Sequence, residues 1–155
     1  MKTRETSTFE DLEVYQLARE FRKAMYAVAR RLPDIEKYGL AGQMRRAAVS
    51  LTNNIAEGHG RFHYLDQIKF TLQSRGSLEE LLDDLNVCED ESYLPVNEVR
   101  DLKNEGLRVR QVTDGYIRYL RQQKASEGNS KCSETPDGDW ADEELGSKPD
   151  SRFSI

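Results

Sequence analysis

Apolar residues recur along the chain every three to four positions, which is the spacing of an amphipathic helix. They do not alternate with polar residues over a useful length, so the pattern predicts no strand. Pro33 and Pro95 are the only prolines before residue 124, and glycines divide the stretch between them. The pattern therefore predicts an all-α protein with four helices, over residues 10–32, 40–57, 63–92 and 96–123.

The apolar pattern of the third helix changes its phase part-way along. Leu65, Ile68 and Leu72 mark one face, and the later leucines mark another, rotated by about a third of a turn. The change falls at Gly76. Either the helix breaks there, with Ser77 capping the second part, or it is continuous and Gly76 lets a neighbour come close.

The first helix carries a basic stripe on the side opposite its apolar face. Its members are Arg19, Arg22, Lys23 and Arg30. Leu12, Tyr15 and Tyr26 lie among them, and a basic stripe with aromatics is one format for contacting nucleic acid. A solvated outer face with apolar stems is the alternative. Because Leu12 and Tyr15 form a second apolar patch, they also hint at self-association.

The second helix has small residues, Ala47 and Ala48, at the centre of its apolar face, which lets a neighbouring backbone come close. A polar stripe runs beside this face and consists of Arg46, Ser50, Asn53 and Glu57. The stripe is either a functional surface or a buried network that fixes the helix register. Gly58 follows as the expected residue just after the helix end.

Charge is distributed unevenly along the 155 residues, whose formal net charge is −5. Residues 125–155 hold three basic and eight acidic side chains, so residues 1–124 sum to zero. Within these, residues 1–62 sum to +3, residues 63–93 to −6 and residues 94–124 to +3. We therefore expect a flexible N-terminus at 1–8, a bundle at 9–124 and a disordered acidic tail at 125–155.

Composition excludes several classes of protein. The longest apolar stretches have only a few residues, so we expect no membrane span. The first residues lack the apolar segment of a secretory signal, which favours a cytoplasmic location. Two cysteines, Cys88 and Cys132, form neither a disulfide framework nor a metal quartet.

Several motifs, in order over about residues 9–122, resemble the four-helix bundle family of 23S rRNA intervening-sequence proteins. They are Phe9-Glu10-Asp11-Leu12, Tyr15, Pro33, Glu36-x-Tyr38-Gly39-Leu40-x-x-Gln43-x-Arg45-Arg46-Ala47-Ala48-x-Ser50, Asn53-x-Ile55-Ala56-Glu57-Gly58, and Gly76-Ser77 with Glu79 or Glu80. The resemblance implies an antiparallel up-down four-helix bundle that assembles as a ring-shaped homopentamer. Its relatives among the accessory variability determinants of diversity-generating retroelements bind nucleic acid and a reverse transcriptase.

Enzymatic alternatives find little support in the sequence. His59 and His63 have the i, i+4 spacing of two metal ligands, but glycines place His59 in a turn and no HExxH motif is present. The helical HEPN ribonucleases carry an Arg that is followed four to six residues later by a His. Neither histidine of this chain has an arginine at that spacing. There is also no phosphate-binding P-loop.

The sequence thus predicts a non-enzymatic accessory factor that binds RNA, or an RNA–DNA hybrid, without a cofactor or metal. Its expected nucleic-acid contacts are Arg19, Arg22, Lys23, Arg30, Arg45, Arg46 and Arg61. The alternative is a protein–protein scaffold that recruits a partner such as a reverse transcriptase.

Overall fold

Four α-helices account for most of residues 7–132, the part of the chain that the computed structural model describes. They are α1 (Glu13–Arg31), α2 (Leu40–His59), α3 (Tyr64–Asp90) and α4 (Val96–Cys132), with 3-10 turns at Phe9–Asp11 and Asp34–Glu36. No strand occurs in this part of the chain, and the all-α prediction is confirmed. None of these helices is long and apolar enough to cross a membrane.

Successive helices run in opposite directions because short turns join them. Between α2 and α3, Ser74 Oγ donates to the Leu51 carbonyl at 2.6 Å, while Gln43 Nε2 reaches Glu80 Oε1 at 3.4 Å. Residue numbers therefore fall along α2 as they rise along α3. Helix α1 packs against α2 and α4, and α3 packs against the same two helices. The chain is an up-down four-helix bundle, as predicted.

The core fills the space between all four helices. Its largest fully buried side chains include Phe21, Met25, Met44, Leu51, Ile55, Leu78, Leu81, Leu85, Val99 and Leu120. The apolar periodicity of α2 predicts a core face of six residues, and all are buried: Leu40, Met44, Ala47, Ala48, Leu51 and Ile55. The periodicity of α1 predicts a face of seven, of which five are buried (Val14, Phe21, Met25, Val28 and Leu32) and two, Leu17 and Ala24, are half-buried.

The apolar patch predicted on the outside of α1 is covered by the chain itself. Tyr15 is buried, and its ring lies edge-on to Phe9, with 4.9 Å between the ring centroids. Thr8 fixes the turn that carries Phe9, because its backbone N–H donates to Asp11 Oδ2 at 2.8 Å. Tyr15 therefore gives no support to self-association, and the predicted flexible N-terminus is ordered at Thr8.

Helix α3 is continuous through Gly76, which settles the question of its phase change. A methyl group added at Gly76 would meet nothing within 4 Å, so this glycine serves no close approach. The predicted core face at the start of α3 is wrong in part: Ile68 is buried, but Leu65 and Leu72 are 58% and 45% exposed. Of the three apolar residues at the start of α3 that were expected to join the core, only Ile68 does so.

Helix α4 runs beyond its expected end. It continues to Cys132, so residues 125–132 of the predicted disordered tail are helical. As far as residue 129, the last buried side chain on it is Leu120, and residues 124–129 are exposed. The remainder of the predicted tail, residues 133–155, lies outside the described part of the chain.

Glu36 joins two connections that lie at the same end of the bundle. Its Oε2 accepts a hydrogen bond from the Leu40 N–H at 2.9 Å and so caps α2, whose N-cap residue Gly39 has no side chain. Its Oε1 accepts from the Tyr93 hydroxyl at 2.9 Å, and this bond raises the pKa of Tyr93. The α1–α2 connection is thereby fixed to the α3–α4 turn.

Asp84 is a charged residue in the core. It is 3% exposed, and its Oδ2 accepts no hydrogen bond within residues 7–132. Burial raises the pKa of its carboxyl to about 6, and the negative charges of Glu80 and Asp83 add to the effect. One turn later, burial raises the pKa of the Cys88 thiol to about 11, so the thiol stays protonated at neutral pH. Cys88 is fully buried and fills the core.

Gly58 marks a close approach between α2 and α3. It lies inside α2, which ends at His59, and is not the residue that follows the helix end. A Cβ there would lie 2.9 Å from Phe70 Cβ and 3.4 Å from the Gln67 carbonyl oxygen. Neither atom belongs to the free end of a side chain, so the two helices would have to separate.

Substituting Gly58→Ala should therefore lower the free energy of unfolding by about 1–3 kcal/mol. Gly76→Ala is the matched control, because it adds the same methyl group to open space inside a helix. It should raise stability by about 0.5–1 kcal/mol through helix propensity. Urea unfolding followed by circular dichroism measures both, and equal effects of the two changes would contradict the packing at Gly58.

Asp84→Asn should stabilise the protein at neutral pH. The folded carboxyl has a raised pKa, so the folded state binds its proton more tightly than the unfolded state does. Stability due to this group therefore rises as pH falls through about 6, and the ionised form destabilises the fold above it. At pH 7.5 the variant should gain about 1–3 kcal/mol, and at pH 4.5 little. Asp90→Asn is the control, because Asp90 is an exposed carboxylate on the same helix; an Asp84→Asn gain independent of pH would refute this account.

Candidate nucleic-acid interface

An open groove follows the seam between α1 and α2. It consists of two adjoining depressions of about 480 and 350 Å³. The lining residues are Tyr26, Gly42, Arg45, Arg46, Val49, Ser50 and Asn53 in the larger one and Arg22, Lys23, Tyr26, Arg30 and Val49 in the smaller. Because Tyr26 and Val49 line both, the two depressions form one groove, here called the α1–α2 groove.

Helix α1 supplies one wall of the groove. Arg22, Lys23, Tyr26 and Arg30 follow one another at helical spacings of one, three or four residues, so they share a face. Tyr26 lies in the middle of this face and is half-buried. Arg19 is on the same face one turn earlier, outside the residues that line the groove.

Helix α2 supplies the other wall. Arg45, Val49 and Asn53 lie at i, i+4 and i+8, and Arg46 is beside them. Gly42 begins this wall and leaves room there, since it has no side chain. Two arginines of helix α2 therefore lie opposite the basic stripe of α1. The sequence pattern of one helix alone does not show that these cations come together.

The cations of the groove differ in how far the chain already neutralises them. Lys23 pairs with Glu20 at 2.7 Å. Arg22 donates to Thr52 Oγ1 at 2.8 Å, and Arg45 donates to the Lys37 carbonyl at 3.1 Å. Both of these acceptors are uncharged.

Arg30 and Arg46 are exposed and have no hydrogen-bond partner between residues 7 and 132. Within that range none of Arg22, Arg30, Arg45 and Arg46 pairs with a carboxylate. The groove is thus lined by four guanidinium groups without an acidic partner in the described chain.

Arg61 lies apart from this groove. It pairs with Glu57 at 2.6 Å, and its guanidinium carbon is 4.8 Å from the centroid of the Phe70 ring. The positive charge of Arg61 and one face of its guanidinium group are therefore already engaged in contacts within the chain. Of the seven residues predicted to contact nucleic acid, the structure brings five together and leaves Arg19 and Arg61 outside.

The polar stripe of α2 is largely a surface feature. Arg46, Asn53 and Glu57 are exposed. Ser50 alone joins a partly buried network: its Oγ lies 2.8 Å from Ser77 Oγ and accepts from Asn54 Nδ2 at 3.0 Å. The buried-network interpretation therefore holds for Ser50, and the other three residues are open to solvent.

The histidines assemble no metal site in the part of the chain that is described. His59 ends α2 and His63 precedes α3, and residues 7–132 contain no group of three His, Cys, Asp or Glu side chains that could hold a metal ion. Asp84 has a raised pKa of about 6, but with 3% exposure its carboxyl is out of reach of a substrate.

Sequence reasoning did not identify Val49 and Gly42 as part of the site. The signal was available for Val49, which is an apolar residue on the polar side of α2, between Arg45 and Asn53. The place of Gly42 depends on how α1 and α2 pack, which no pattern along one helix gives.

Comparison with known proteins agrees with the fold and with the motifs of α2. No curated protein matches the chain. The family model of the 23S rRNA-intervening sequence protein matches residues 10–115, which is more than half of the chain and spans all four helices up to the middle of α4. The chain belongs to the 23S rRNA-intervening sequence protein family.

Proposed function

We propose that the protein is a non-enzymatic, cytoplasmic accessory factor that binds RNA along the α1–α2 groove. The observation that carries the proposal is the set of four guanidinium groups in this groove without a carboxylate partner in residues 7–132. Phosphate is the ligand that such a set of fixed positive charges favours. The planar guanidinium fork of arginine can also donate two hydrogen bonds to the oxygens of one phosphate.

The distribution of the acidic residues supports the same surface. The carboxylates of α3 are directed in part at α4, where Glu79 pairs with Arg110 at 3.3 Å and Glu89 with Lys103 at 3.1 Å. These pairs neutralise cations on the far side of the bundle from the groove. The neutral sum of residues 1–124 therefore conceals a surface that is locally basic.

Removing two unpaired groove cations tests the proposal. Arg30→Ala with Arg46→Ala should weaken RNA binding by roughly tenfold at low salt and reduce the slope of log affinity against log salt by about two. Fluorescence anisotropy with an RNA that contains a stem and an unpaired loop measures both quantities. The fold should be unaffected, because neither side chain makes a hydrogen bond within residues 7–132.

Arg118→Ala with Arg121→Ala is the matched control. It removes two exposed arginines from α4, on the other side of the bundle. This variant should bind RNA almost as the wild type does. No binding by the wild-type protein at 50 mM salt, or an equal loss in both double variants, would contradict the groove as the RNA site.

A second candidate function is a protein–protein scaffold built on a homopentameric ring. It is favoured by the exposed leucines at the start of α3, since Leu65 and Leu72 lie on one face and Phe62 just before them is 98% exposed. In this proposal a second copy of the chain covers the two leucines, and the ring recruits a partner such as a reverse transcriptase.

Native mass spectrometry of the full chain tests the assembly. We expect a species of five times the 17.9 kDa chain, which Leu65→Ser with Leu72→Ser should convert to smaller species. Leu107→Ser changes a 37% exposed leucine on α4 and should leave the assembly intact. A well-folded wild-type monomer would rule the ring out.

A further inference from the structure

We infer that Tyr26 is a platform on which an unpaired base stacks, so that the α1–α2 groove selects single-stranded over duplex RNA. The inference rests on the proposed function, because it names the class of RNA that the same groove takes. It draws on a separate set of observations, namely the surroundings of one aromatic ring.

Within residues 7–132, Tyr26 has no aromatic or cationic partner, which is also true of Tyr64 and the buried Phe21, but of these three only Tyr26 lines the α1–α2 groove. Several other aromatic rings are paired. Phe9 lies against Tyr15, and Tyr116 stacks on Tyr119 with 6.3 Å between centroids. Within residues 7–132 no such contact involves Tyr26, and its hydroxyl makes no hydrogen bond there. The ring is held by partial burial against the core, but its accessible part has no partner in the described chain.

The position of the ring suits a base. Tyr26 lies where the two depressions meet, and across from it the groove is lined by Val49, which is 36% exposed. An aromatic ring facing an aliphatic side chain is a common setting for a planar, apolar group. Asn53 lies on the same groove wall as Val49, and its amide can both donate to and accept from the edge of a base.

The cations are arranged for a backbone that passes on either side of the base. Arg22 and Arg30 lie one turn before and after Tyr26 on α1, and Arg45 and Arg46 face them from α2. A strand whose base enters the groove at Tyr26 therefore has guanidinium groups available to its phosphates in both directions. Positive charge that follows a backbone, combined with aromatic stacking, is the general design of single-strand binding sites.

A duplex fits the same features poorly. In double-stranded RNA the bases are stacked on one another, and the deep, narrow major groove keeps side chains from them. An aromatic ring on the floor of a concave groove reaches only a base that has left its stack. Duplex RNA can use the arginines of the rim and gains nothing from Tyr26.

The test compares a single-stranded RNA of mixed sequence with a blunt duplex of the same length, each carrying one 2-aminopurine. The variant is Tyr26→Leu, which keeps a shorter apolar side chain against the core and removes the aromatic face. It should weaken binding of the single strand about five- to hundredfold and leave duplex binding unchanged. Tyr26→Phe should behave as the wild type does.

Quenching of 2-aminopurine fluorescence reports the stacking directly. The wild type and Tyr26→Phe should quench the single-stranded probe, whereas Tyr26→Leu should not. If Tyr26→Leu binds and quenches as the wild type does while Arg30→Ala with Arg46→Ala weakens binding, the stacking role is wrong and the RNA groove stands. If the wild-type protein binds neither probe at low salt, the proposed function and this inference both fail.

Discussion

The close packing of α2 against its neighbours is the constraint on which the rest of the molecule depends. Ala47 and Ala48 are buried on its core face, and Gly58 meets Phe70 of α3 with no room for a Cβ. At this short separation Ser74 of α3 reaches the Leu51 carbonyl at 2.6 Å. Because α2 is held this closely to α3, its position beside α1 is fixed as well. The α1–α2 groove forms at the surface because the core face of α2 carries small residues and packs closely.

Charge in the bundle is sorted by helix, and the sorting has a physical effect beyond the net value. The acidic α3 faces α4, and three ion pairs join the two helices. Arg75 of α3 pairs with Asp114 of α4, and the carboxylates of α3 pair with Arg110 and Lys103 of α4. Partly exposed pairs of this kind contribute little to stability, with a typical value of 0–1 kcal/mol. Their larger effect is on the field around the protein: they cancel the charges of α3 and α4 locally and leave the arginines of α1 and α2 uncompensated.

Much of the fold could be predicted from the sequence, because amphipathic periodicity and the positions of proline and glycine determine where helices start and stop. The α2 face was predicted in full for this reason. Periodicity fails where burial depends on a neighbour: Leu65 and Leu72 look like core residues, yet no helix in residues 7–132 covers them, and Tyr15 looks exposed until Phe9 packs on it. It also fails at the end of α4, which continues to Cys132 although its residues 124–129 are exposed. The candidate site was half predictable, since each helix shows its own cations and only their packing shows that Tyr26 lies between them.

Two features of the bundle disfavour the folded state: the buried carboxyl of Asp84 and the neighbouring arginines of the α1–α2 groove. The carboxyl of Asp84 lies in the core, and its Oδ2 has no hydrogen-bond partner in the described chain. Because Asp84 is buried, a ligand cannot reach this carboxyl. The arginines of the groove place like charges side by side, which also disfavours the folded state, but at a surface that is open and lined by an aromatic ring. Features of this second kind are expected where a protein meets a partner, because the ligand supplies the compensation that the chain lacks. A ligand can reach the arginines of the groove but not the carboxyl of Asp84. For this reason we place the function at the seam of α1 and α2.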